Sequence, residues 1–184
     1  IPPALAQVTN IDVQWATSSI QMAGKRANQV PGIKKGPSVG VIRLDIPTVP
    51  MVNGDIPDEV KRMHLAVRAA KLAAENTIAV GVTGEAVHRA TIASLIASGY
   101  AFGLPGEDTP LSYCAMTHGT GHGIGLDVHE PPLLDIKGPP LLAGEALTVE
   151  PGLYRRDLGA VRIEDMVIVT ETGCLNLNKL HDEL

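Results

Sequence analysis

From Ile56 to Ile78 the apolar positions Ile56, Val60, Met63, Val67, Ala70 and Ala74 recur every three or four residues, the period of one buried face of an α-helix. Pro57 and Asp58 suit its first turn, where a missing N–H costs nothing and an acid meets the positive end of the helix dipole. Lys61, His64, Arg68 and Lys71 share the other face, which places His64 at the surface. Thr83 can cap a second helix that contains His88, runs to Ser98 and stops at Gly99. His88 and His181 read as structural or solvated.

The C-terminal third changes period. "SYCAMTH", "EALTVEP" and "AVRIEDMVIVT" are strand-like, divided by Gly and Pro clusters, and "TETGC" reads as a hairpin turn. Upstream, "SVGVIRLD" (38–45) reads as a strand ending on Asp45 before Pro47, and a shorter strand is expected around Ile11 to Trp15. The rest of residues 1–37 is turn-prone, and no chemistry is assigned there. Two helices followed by several strands predict an α+β fold. At 184 residues, one domain over 1–184 with one site is expected.

Composition narrows the function classes. Hydrophobic residues make up 45% and charged residues 19%, with no apolar run long enough to cross a bilayer, so no membrane partner is expected. A net charge of -5, with basic residues scattered apart from Lys34-Lys35 and Arg155-Arg156, argues against nucleic acid. Cys114 and Cys174 form neither a disulfide framework nor a cysteine metal site, and a reducing cytoplasm fits this usage. The last four residues spell HDEL, an endoplasmic-reticulum address at a eukaryotic C-terminus; with no signal peptide visible in the residues given, it is not expected to act as one.

The densest chemistry lies in "HGTGHGIGLDVHEPP", residues 118–132, with three of the six histidines. A dinucleotide loop would need glycine at 124 or 126, where Ile124 and Leu126 stand, and no Gly-Lys-Ser/Thr follows for a phosphate loop. A helix bearing His118 and His122 is unfavourable, because each interior glycine costs about 1 kcal/mol. As an extended segment, His118 and His122 fall on one side and the glycines allow close approach. Downstream, Glu150 ends the apolar run "ALTVE" and Glu164 lies within "AVRIEDMVIV", so both carboxylates are expected to be buried. Such groups are costly unless paired or metal-bound. Two readings stay open at this point: a structural salt bridge to Arg162, on the same strand face as Glu164, or a mixed nitrogen and oxygen ligand set suited to Mn²⁺, Zn²⁺, Co²⁺ or Fe²⁺. Two such metals would suit hydrolysis.

Three blocks in order, "HGTGHGIGLDVHEPP", "LTVEPGLY" and "VRIEDMVIVTETG", resemble the C-terminal half of the pita-bread metallopeptidases, which include methionine aminopeptidases, Xaa-Pro aminopeptidases and Xaa-Pro dipeptidases. The likeness covers about residues 53–178, with "NGDIPDEVKRMH" similar to the entry into the first long helix, and "EPGLY…VRIED" is closest to the proline-peptidase branch. The resemblance implies a curved antiparallel sheet flanked by helices, here with an incomplete N-terminal half. It implies two divalent metal ions, Mn²⁺ foremost, and a peptide substrate with proline at the second position; a homodimer is left open. By the same carry-over, His122, Glu150 and Glu164 would be metal ligands, with Glu150 also a proton shuttle and Glu164 bridging both metals. His129 would contact the scissile carbonyl or leaving nitrogen, His118 would line the substrate site, and Arg162 would hold Glu164 and neighbouring groups.

The departure from the family pattern lies upstream. The family supplies two aspartates eleven residues apart, and Asp45 is the one candidate here; its partner would fall on Lys34 or on Ile56, with Asp55 and Asp58 close to the latter. The usual upstream histidine has no counterpart. Either segments are missing from this part of the chain, or a ligand is lost, leaving a one-metal enzyme, a metal-depleted creatinase-like hydrolase or lyase, or an inactive binding module.

Overall fold

The helical period becomes helix α1 (Asp58–Thr77) in a computed structural model, which describes residues 56–178. The strands expected around Ile11–Trp15 and at 38–45, with Lys34, Asp45, Asp55 and His181, lie outside the described residues. Pro57 precedes the first turn of α1, and Asp58 and Glu59 sit in it, paired with Lys61 and Arg62 three residues on. Helix α2 (Gly84–Ala97) begins as the sequence predicts: the Thr83 hydroxyl accepts the Ala86 N–H at 3.1 Å, and Gly99 ends it at a φ of 88°. Neither helix is long and apolar enough to cross a membrane.

Nine strands follow: β1 (Ala101–Phe102), β2 (Cys114–Met116), β3 (Gly121–Gly123), β4 (Glu130–Leu134), β5 (Ala146–Val149), β6 (Gly152–Arg155), β7 (Gly159–Arg162), β8 (Asp165–Thr170) and β9 (Gly173–Asn176). They form two sheets, in the orders β1-β2-β6-β7 and β4-β3-β5-β8-β9, antiparallel except for the β1–β2 pair. The hairpin expected at "TETGC" joins β8 to β9, with Thr170 opposite Gly173.

"AVRIEDMVIVT" is not one strand. It breaks at Ile163 and Glu164, where the chain passes from the first sheet (β7) to the second (β8). Pro151 and Glu150 mark the mirror crossing, from β5 to β6. The β5–β8 ladder ends at Val149 opposite Asp165, and the β6–β7 ladder starts at Gly152 opposite Arg162. Glu150 and Glu164 therefore occupy the two facing crossings, where neither belongs to a ladder.

Each sheet has its own apolar core, and α1 enters both. Ala74 and Ile78 pack with Val87, Leu134, Leu147, Val149 and Val167, while Met63, Ala66, Val67 and Ala70 pack with Leu95 of α2 and with Met116, Leu153 and Ile163. The expected solvent face of α1 is corrected by the structure: His64 and Lys71 are buried. Lys71 turns its ammonium under the helix onto Asp165 Oδ2 at 2.5 Å, so the long lysine stem covers apolar surface while its charge meets a buried partner.

Asn176 donates both to Asp165 Oδ2 at 2.7 Å and to Glu75 Oε1 at 3.1 Å. Burial pushes the Glu75 carboxyl up to about 7, with Lys71 working against the shift and Asp165 adding to it. A carboxyl whose folded pKa is raised binds more protons folded than unfolded between its ordinary value of 4.5 and about 7, so stability falls as pH rises through that window. Glu75→Gln is expected to remove this slope. Thermal midpoints of both proteins from pH 5 to 8 check it: the wild type should lose ground relative to the variant as pH rises.

Candidate active site

His122 stands in the middle of β3, its backbone N–H donating to Thr148 Oγ1 at 2.9 Å. Its Nδ1 lies 2.9 Å from the Gly123 carbonyl, which can only accept, so Nδ1 carries the proton and Nε2 points the other way. Nε2 lies 3.1 Å from Glu150 Oε1, yet off the hydrogen-bond axis, and has no well-directed partner among the described residues. Burial opposes charge on this imidazole, but the Glu150 carboxylate and the Gly123 carbonyl outweigh it and hold His122 above its ordinary value.

Glu150 is fixed through its backbone, whose N–H donates to the Thr120 carbonyl at 2.7 Å, and through Thr148 Oγ1, which donates to Oε1 at 3.2 Å. Its burial would raise the carboxyl, but His122 and Arg162 reverse the direction and keep it low. Arg162 spans both acids, with Nη1 3.6 Å from Glu150 Oε2 and Nη2 3.7 Å from Glu164 Oε2. Glu164 fares differently. Burial, then the neighbouring Glu150 charge, push it up to about 8 against the pull of Arg162, and its Oε1 is buried with no hydrogen-bond partner among the described residues.

His118 shows the same tautomer logic as His122. Nδ1 donates to the Gly119 carbonyl at 2.7 Å, and Nε2 accepts from the Tyr154 hydroxyl at 2.8 Å; burial holds this imidazole low. His129, just before β4, tilts against His122 with ring centroids 4.3 Å apart. A cleft of about 260 Å³ gathers His118, His122, His129, Glu150 and Arg162 with Leu133 and Asp135, a size suited to a small ligand or a short chain end.

Of the residues singled out in the sequence, these five line the cleft, and Glu164 stands behind it through Arg162. Asp58 is not a substitute for the missing aspartate, being exposed and paired with Lys61. Sequence reasoning missed Tyr154, Thr148, Leu133 and Asp135. Tyr154 had a signal, since the alternation from Gly152 puts both on one face, but Asp135 had none.

The close approach of strands also has a sequence cause. A Cβ at Gly121 would stand 1.9 Å from the Thr148 carbonyl oxygen, so only glycine lets β3 lie against β5. Gly121→Ala must push apart the strands that hold His122 and Glu150. We expect a loss of about 3 kcal/mol or more in urea unfolding, at the upper end of overpacking costs, because the obstacle is backbone.

These donors fit a divalent cation as far as the described residues go. A buried imidazole nitrogen with its tautomer fixed by a carbonyl, beside two buried carboxylates of which one oxygen lacks a partner, is a mixed nitrogen and oxygen set for a hard or borderline metal. Among the described residues, no group of three or more His, Cys, Asp or Glu side chains is complete enough to hold a metal alone.

Residues 45–171 match metallopeptidase family M24. The chain belongs to this family. Among its relatives, a probable dipeptidase of Mycobacterium bovis is 37% identical over 133 residues, which cover 71% of this chain and 32% of that one. A solved Xaa-Pro dipeptidase from Bacillus anthracis is 37% identical with a TM-score of 0.61, covering 71% of this chain and 34% of its own. An X-Pro aminopeptidase from Thermotoga maritima is 34% identical with a TM-score of 0.60, covering 71% and 34%. The chain thus spans about a third of the length of these M24 relatives, and over that part it has their pita-bread fold, as its motifs led us to expect.

Proposed function

We propose that residues 1–184 contribute a single catalytic domain of an M24 peptidase that cleaves between an N-terminal residue and proline. His122, Glu150 and Glu164 would hold divalent metal, with Asp45 as a further ligand and Mn²⁺ foremost among Mn²⁺, Zn²⁺, Co²⁺ and Fe²⁺. When bound, the metals supply Lewis acidity and a nucleophilic water.

The chain's own residues do the rest. Glu150, kept ionised by His122 and Arg162, takes a proton and passes it to the leaving nitrogen. His129, at the cleft wall beside His122, donates to the scissile carbonyl or leaving nitrogen. His118, locked by Gly119 and Tyr154, presents a fixed ring face to the substrate. Arg162 keeps the two glutamates together and closes that side of the substrate site.

The observation that carries this reading is the placement of Glu150 and Glu164 on facing crossings under one guanidinium, with His122 Nε2 3.1 Å from Glu150. The free, half-buried Cys114 and Cys174 support a reducing compartment such as the cytoplasm. The test is metal content by mass spectrometry, then turnover of Xaa-Pro peptides with and without added Mn²⁺. Stoichiometry near zero with no turnover of any peptide would sink the proposal, and turnover of a small C–N compound alone would reassign the reaction.

A further inference from the structure

Asp135 follows β4 and lines the cleft beside His118, Gly119 and Leu133. One of its oxygens is committed. The Ile136 N–H donates to Oδ1 at 2.7 Å, and His88 Nε2 lies 3.3 Å from the same oxygen, too oblique for a full hydrogen bond. His88 is itself wholly buried on α2, with Nδ1 2.9 Å from Thr120 Oγ1. Burial holds this imidazole low, against the pull of Asp135, so it stays neutral near pH 7 and does not cancel the carboxylate.

The second oxygen is in a different position. Oδ2 has no hydrogen bond among the described residues, and the side chain is 43% exposed at the cleft wall. It lies over Gly119, where an added Cβ would come within 3.1 Å of it. Arg162 and Glu150 are engaged with each other, and Arg162 with Glu164 as well. Among the described lining residues, the accessible charge left for a substrate is therefore negative and belongs to Asp135.

We propose that Asp135 is a specificity residue of this cleft that receives an ammonium group of the substrate through Oδ2, either the α-ammonium or a lysine side chain. The inference rests on reading the cleft as a peptide site. A carboxylate already oriented by Ile136 loses little freedom on pairing, and an N⁺–H···O⁻ bond is stronger than a neutral one. The same charge repels a substrate carboxylate at this position.

The full chain loaded with Mn²⁺ is assayed on Leu-Pro-Ala, Lys-Pro-Ala, Ala-Pro-Leu and Ala-Pro-Lys amides, as wild type, Asp135→Asn and Asp135→Glu. Asp135→Asn is expected to lower kcat/KM by about tenfold, most of it in KM, as for one lost charge-assisted contact at a half-exposed site. Asp135→Glu should restore part of the loss. A uniform loss on all four peptides identifies the α-ammonium, and a loss confined to a lysine peptide identifies the side chain. Changes within twofold on every peptide overturn the proposal. If the wild type cleaves none of them, the peptidase reading fails separately, and calorimetric titration of the same peptides and their N-acetylated forms decides the role of Asp135. Weaker binding by Asp135→Asn only where an ammonium is present upholds it, and equal binding overturns it.

Discussion

Glu150→Gln is expected to lower kcat on an Xaa-Pro peptide by about 10³-fold, within the range that a positioned general acid–base group contributes. The amide matches the carboxylate in size and can still accept from Thr148 Oγ1, so the fold should survive, with its backbone N–H still on the Thr120 carbonyl. What disappears is the site that accepts and returns a proton, together with the negative charge that Glu150 presents to Arg162. Removing that charge also removes the repulsion that helps to raise Glu164. Steady-state kinetics and a thermal melt check the prediction together. A variant that melts like the wild type and loses less than tenfold in kcat would take Glu150 out of the proton path.

Lys71→Met should produce the largest loss of stability, about 3–5 kcal/mol, because it leaves the Asp165 carboxylate buried without its cation. The two side chains are only 7% and 4% exposed, so water cannot replace the ammonium, and the Asn176 amide is a neutral substitute. Removing both charges in Lys71→Met with Asp165→Asn should recover much of the loss, since the pair itself has little net worth against a neutral one. Urea unfolding of the single and double variants measures this. A single variant within about 1 kcal/mol of wild type would show that Asp165 has found another partner or taken up a proton.

The helices were legible because their period and punctuation are local. Thr83 and Gly99 bound α2 where their chemistry requires, and the apolar row from Met63 to Ala74 is the buried row. The burial of Glu150 and Glu164 was legible too, from their apolar neighbours in sequence. The break at Ile163–Glu164 was not, because the run on both sides is strand-forming and the interruption comes from transfer between sheets. His64 and Lys71 were misread since a helical period treats charge as solvent-facing, whereas the partner of Lys71 is 94 residues away. In the site, the histidines carried a motif and Asp135 carried none; its place depends on where β4 ends and on His88 of α2. Asp45 lies outside the described residues, so the upstream ligand of the pattern rests on the sequence alone.

Both helices are rooted in both cores, α1 through Ala74 and the row from Met63 to Ala70, α2 through Val87 and Leu95, and the two glutamates sit where the chain crosses between the sheets. Any change in the tilt of one sheet against the other is therefore a change in the spacing of Glu150 and Glu164, and the two helices together brace that tilt like the spine of a half-open book. Packing defects on α1, far from the cleft, should register first as altered geometry at the carboxylates, while each leaf remains folded on its own core.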